Sequence, residues 1–170
     1  MKKRILIPTD GSQFSEQIIT HVQRFFAPNE CELIVMRVGE PVFSATAAQA
    51  ELVREATFLG TTLHHVSERD MEAAQHPIYA TQIEMNERSH VEDAMLPLLN
   101  RLRQAGYNVT CKVEFGDPAR MILHAVEHDK IDIIAMTTHG RTGLSRAIFG
   151  SVAESVMHQT RVPVLLFRPQ

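Results

Sequence analysis

The stretch RILIPTDGS, residues 4–12, decides the fold. Its apolar run stops abruptly at Thr9, Asp10 and Gly11, the pattern of a central parallel strand that ends in a turn. From Ser12 the period changes. Phe14, Ile18, Val22 and Phe25, with Ile19 and Phe26 beside them, recur at helical spacing until Pro28 and Asn29, which predicts an amphipathic helix with this set as its buried face. The same alternation continues outward. CELIVMRV, residues 31–38, reads as a second strand that stops at Gly39; NVTCKVEF, 108–115, as a strand with one less buried face; IDIIAMT, 131–137, and VPVLLF, 162–167, as two more. Asp117 and Pro118 mark a helix start, since Asp caps free amides and Pro at the first helical position loses no bond. Ile122, Leu123, Ala125 and Val126 supply that helix's apolar face, and helix character returns near Gly150 and Ser151. Strand and helix in alternation predict a three-layer α/β domain on a five-stranded parallel sheet.

The chain has 170 residues, 17 Lys and Arg against 20 Asp and Glu, a net charge of −3 and a hydrophobic fraction of 44%. At about 150 residues per domain this predicts a single domain over 1–170. The weakly acidic balance argues against a nucleic-acid partner, which calls for a basic face. The start MKKR is followed by a run too short for a signal peptide or a membrane span, so the expectation is a cytoplasmic protein with no membrane partner. Cys31 and Cys111 read as strand residues rather than as a disulfide or metal pair. Residues 44–90 form an excursion from the sheet, in which Asp70, His76 and Pro77 interrupt a weak periodicity. Ile83, Val91, Ala94, Leu98 and Leu102 then mark a long helix to Gly106, which Pro97 is expected to kink or divide near Asp93.

In such a sheet the ligand crevice lies beyond the carboxyl ends of the strands, where the strand order reverses. That rule places 8–12, 38–40, 116–117 and 137–140 on one rim. The most informative segment there is TTHGRTGLSRAIFGSV, residues 137–152. Gly140 and Gly143 permit sharp turns, and the amides around Gly150 and Ser151 open a helix, where an anion is well received. Ser151 and Glu154 also match a capping box, a purely structural use of the hydroxyl. Asp10 before Gly11 suits a turn as well as a ligand. Arg141 is better placed than Arg146 to neutralise phosphate, although exposed arginines also simply solubilise a loop; His139 is a further candidate donor. The P-loop pattern and the GxGxxG fingerprint are both absent. His64 with His65, and His124 with His128, lack a third ligand, so no metal site is predicted. No nucleophile stands with an identifiable base, so no catalytic residue is assigned.

ILIPTDGS (5–12), LIVMRV (33–38), GDPARMILHAVEHDKIDIIAMTTHGRTG (116–143) and GSVAESVMHQTRVPVLLF (150–167) together resemble the ATP-binding branch of the universal stress protein family. The resemblance covers the chain apart from the excursion. It implies a Rossmann-like or adenine-nucleotide alpha hydrolase-like fold, and a stress-response or signalling protein whose ATP occupancy modulates conformation, dimerisation or partner binding. It implies that Pro8 and Asp10 meet the adenosine, Asp10 through ribose hydroxyls, and that the Val38 backbone reads the adenine edge. Gly140 and Arg141 would bound the phosphate loop, and Gly150, Ser151 and Val152 would contact phosphate. The family pattern is Gly, two residues, Gly, nine residues, then Gly and Ser or Thr; Thr137 stands where its first Gly is expected. Mg²⁺ would arrive bound to the ATP phosphates rather than in a protein cage. The resemblance also implies a homodimer through the C-terminal strand, and an unidentified signalling protein is a further candidate partner. The alternatives are a weak ATP hydrolase or adenylyl-transfer enzyme, and a nucleotide-independent interaction module in which Thr137 closes the pocket.

Overall fold

The computed structural model describes residues 2–40, 77–138 and 150–169. In chain order these form β1 (Lys3–Pro8), α1 (Gln13–Phe25), β2 (Cys31–Gly39), α2 (Pro77–Gln104), β3 (Asn108–Phe115), α3 (Pro118–His128), β4 (Ile133–Thr137), α4 (Ser151–Gln159) and β5 (Val164–Phe167). The sheet is five-stranded in the order β3-β2-β1-β4-β5, and every pairing is parallel. The expected α/β fold is therefore observed. The chain divides into two compact units, residues 1–39 with 91–170, and residues 40–90. The first holds the sheet. Of the second, the described part is Glu40 and the start of α2, where Arg88 pairs with Glu84 at 3.6 Å.

Alternation sorts the strand side chains between two apolar layers. On one face Ile5, Ile7, Leu33, Val35 and Ala135 pack with Ile18, Ile19 and Val22 of α1 and Leu98, Leu99 and Leu102 of α2. On the other, Leu6, Ile34, Met36, Ile134 and Met136 pack with Ala119, Ile122 and Ala125 of α3 and Ala153 and Val156 of α4. β1 lies in the middle of the sheet, and Ile5, Leu6 and Ile7 are wholly buried, which explains its unbroken apolar run. β3 lies at an edge. Val109 and Val113 face the core while Asn108 and Thr110 face solvent, as its alternation predicts.

Several expectations are corrected. Phe14 and Phe25 keep 44% and 62% of their surface exposed, because they sit at the two ends of α1, beyond the reach of the sheet; Ile18, Ile19 and Val22 carry its buried face. Pro77, expected to interrupt a weak periodicity, starts α2, which a first-turn proline does without losing a bond. Pro97 does not divide α2. It lies on the exposed side, where water can reach the freed carbonyl, while Met95, Leu98, Leu99 and Leu102 hold the helix to the sheet. Ala94 is exposed and Met95 takes the buried place. The earlier excursion, up to residue 76, lies outside the described residues. Cys31 and Cys111 are free thiols in separate strands.

Candidate functional site

The strand order changes direction beside β1, whose neighbours are β2 and β4, and the crevice that results lies at the strands' carboxyl ends. A cavity of about 330 Å³ opens there, within the range of about 300–1,000 Å³ typical of small-molecule sites. Pro8 and Asp10 line it from the end of β1, Val38 from β2, Thr137 from β4, and Gly150, Ser151 and Val152 from the start of α4. The structure thus brings seven of the nine sequence candidates to one cavity. Gly140 and Arg141, with His139 and Arg146, lie outside the described residues.

The β1 end is held by a chain of hydroxyls. Thr9 continues the ladder, its amide donating to Met36 O at 2.8 Å. Its Oγ1 accepts from the Gly11 amide at 3.0 Å and lies 2.8 Å from Ser15 Oγ. Ser15 Oγ spends its one proton on Ser12 O at 2.9 Å, so Thr9 is the donor between the two. Ser12 caps α1 by accepting from the Ser15 amide at 3.1 Å. Asp10 Oδ1 accepts from both the amide and the hydroxyl of Ser12, at 2.9 and 2.6 Å. Asp10 is therefore a turn-maker, as its place before glycine suggests, and it also lines the cavity.

The opposite wall is the start of α4. Its cap is Gly150, not Ser151, and no side chain caps it. Glu154 N makes the first helical bond, to Gly150 O at 2.9 Å, so the amides of Ser151, Val152 and Ala153 precede the helical ladder. All three residues line the cavity. The capping-box reading of Ser151 is thus overturned: a residue inside the helix has its amide turned along the axis and is not placed to cap. These amides and the helix dipole favour an anion. On the other flank Asp117 caps α3 through the Arg120 amide at 2.9 Å, with Pro118 at its first turn, as expected.

Between these walls the floor is apolar. Met36, Ile122 and Met136 line the cavity, as do Thr9, Ser15, Pro118, Thr138 and Ala153. Thr9 and Thr138 fall on the expected rim segments 8–12 and 137–140, whereas Met36, Ile122, Met136, Ser15, Pro118 and Ala153 are not among the sequence candidates, although strand parity signals two of them. Met36 shares a face with Val38, and Met136 shares one with Ile134 in the same apolar layer. Thr137 is 8% exposed and pairs with Phe167 in the β4–β5 ladder. It forms part of the wall and leaves the space open. Among the described residues there is no group of three metal-ligating side chains. No helix of the described residues is long and apolar enough to cross a membrane.

The geometry has relatives. The profile of the universal stress protein family matches residues 1–168. Universal stress protein MJ0577 of Methanocaldococcus jannaschii is 26% identical over 171 residues, covering 99% of this chain and 96% of that one. The solved structure of MJ0577 superposes with a TM-score of 0.72 at 24% identity, covering 100% and 98% of the two chains. An Arabidopsis thaliana universal stress protein family member with AMP bound gives 0.57 at 12% identity, over 99% and 92%. A universal stress protein in complex with cAMP gives 0.54 at 16% identity, over 98% and 97%.

Proposed function

The chain belongs to the universal stress protein family, and from that premise we propose that it binds an adenine nucleotide, ATP in the first instance, in the cavity at the β1–β4 crevice. The observation that carries this reading is the meeting in one cavity of the Asp10 turn, the end of β2 at Val38 and the uncapped start of α4. In this reading the apolar floor of Met36, Ile122 and Met136 receives the base, Val38 reads its edge through the backbone, Pro8 and Asp10 meet the adenosine, and the Ser151 and Val152 amides meet phosphate. Gly140 and Arg141 complete the phosphate loop. AMP and cAMP in the two related complexes support a nucleotide of this class. Mg²⁺ enters with the phosphates. Binding is proposed ahead of turnover, because the cavity offers a cradle and Asp10 is already committed to Ser12.

The nucleotide-dependent output we propose is a change in conformation or in pairing. β5 lies at the sheet edge with β4 on one side, and a second copy meeting it there gives a homodimer or, with nucleotide, a surface for a signalling partner. The test is to purify the protein without added nucleotide, identify retained small molecules, and titrate ATP with and without Mg²⁺ by calorimetry. Copurified adenine nucleotide or micromolar binding supports the reading. Neither retained nucleotide nor heat at millimolar ATP overturns it.

A further inference from the structure

Arg37 is adjacent to Val38 on β2 and faces the other side of the sheet by strand alternation. Its guanidinium lies against Gly11. A Cβ built on Gly11 would stand 2.7 Å from Arg37 Nη1, 3.0 Å from Cζ and 3.3 Å from Nη2, so the planar group spreads over the glycine backbone. Gly11 takes φ +75°, a conformation that an L side chain rarely adopts. The turn is thus built around the guanidinium. Arg37 is half-buried. Arg4 lies 3.8 Å from Glu32 and Arg101 lies 3.2 Å from Glu16, whereas Arg24, Arg120, Arg161 and Arg168, which make no ion pair among the described residues, are exposed to water. Among the described residues Arg37 has neither an ion pair nor a hydrogen bond.

The residue before Gly11 is Asp10, which lines the cavity. Consecutive Cα atoms are about 3.8 Å apart, so the guanidinium against Gly11 stands about one residue beyond the cavity's Asp10 edge. Resting on the proposal that Asp10 meets the ribose, the part of the ligand nearest Arg37 is the ribose ring, not the 5′-phosphate chain at the start of α4. A planar guanidinium fork matches a phosphate bidentately, and an arginine near a ribose-binding carboxylate is how some nucleotide folds accept a ribose phosphate. We propose that Arg37 receives a phosphate monoester on the ribose 2′ or 3′ oxygen, so that the site selects adenine nucleotides phosphorylated on the ribose as well as at the 5′ position.

The test is calorimetry of the full chain with AMP, adenosine 2′,5′-bisphosphate and adenosine 3′,5′-bisphosphate, which separates the two positions. One bisphosphate is expected to bind at least about tenfold tighter than AMP, and Arg37→Gln is expected to bring that ratio near one. Arg37→Lys, which keeps the charge and loses the fork, should retain only part of the gain and serves if the Gln variant fails to fold. AMP binding with no gain for either bisphosphate overturns the proposal alone, as does a gain that survives Arg37→Gln. Absence of binding by all three overturns the nucleotide reading and this inference with it.

Discussion

The Gly150 amide donates to the carbonyl oxygen of Thr138 at 2.6 Å, tying the start of α4 to the end of β4. Thr138 is in turn held to β5, its amide donating to Phe167 O at 2.8 Å. Thr138 and Gly150 are therefore fixed beside each other and beside the cavity, which both of them line. The uncapped turn of α4 is positioned by the sheet, not by the helix itself.

That arrangement separates stability from binding at one residue. Gly150 has φ −73° and ψ 153°, ordinary for any L residue, and occupies the N-cap. Gly150→Asp therefore installs a favoured cap, expected to leave stability unchanged or raise it by a few tenths of a kcal/mol. The same carboxylate occupies the place proposed for phosphate and repels it. Thermal unfolding should show a Tm no lower than wild type, and calorimetry a loss of at least about tenfold in ATP affinity. A variant that binds ATP as well as wild type counts against phosphate at this helix start.

Gly11 makes the opposite kind of prediction. Gly11→Ala meets both a positive φ and the Arg37 guanidinium, with Nη1 2.7 Å from the new Cβ. The conformational part alone costs about 1–2 kcal/mol. Adding Arg37→Ala removes the steric part and leaves the conformational one. Denaturant unfolding of the two single variants and the double variant should then show a cycle in which the double is less destabilised than the sum. Strict additivity would mean that the guanidinium moves away at no cost.

Both thiols are held above their ordinary range, Cys31 by burial and then by Glu30, Cys111 by burial and then by Glu92. A pKa raised in the folded state gives stability that is complete below the unfolded thiol value, about 8.5, and is lost as pH rises through the folded value. Wild type should therefore lose Tm more steeply as pH rises above about 8.5 than a Cys31→Ala, Cys111→Ala double variant. A thiol reagent at neutral pH should modify partly exposed Cys111 before buried Cys31. Equal slopes for the two proteins would exclude this contribution.

The strands and the rim were legible because their signals are local. A run such as RILIP needs burial on both faces, and Asp117 with Pro118 satisfies a helix start by its own chemistry. What was illegible depends on where a helix ends relative to its neighbours. Phe14 and Phe25 fit the apolar period of α1, and only the extent of the sheet shows that both overhang it. Ser151 and Glu154 fit a capping box, and only the bond from the Glu154 amide to Gly150 O shows that the helix begins one residue earlier. Thr9 and Ser15 look like loop and helix-start polars, yet their hydroxyls satisfy each other inside the cavity wall.

The β5 edge yields a test of pairing that spares the fold. Ile134 N donates to Pro163 O and Thr138 N to Phe167 O, at 3.0 and 2.8 Å. Parallel alternation then turns Pro163, Leu165 and Phe167 toward β4, and turns the amides of Val164 and Leu166 outward. Val164→Pro removes one outward donor at the first residue of the strand, takes no bond from the β4–β5 ladder, and follows Pro163, which already favours extended backbone. Sedimentation should show wild type as a dimer that dissociates on dilution, and the variant as a folded monomer by circular dichroism. Wild type sedimenting as a monomer at every concentration, or a variant that pairs undiminished, rules out a dimer built on this edge.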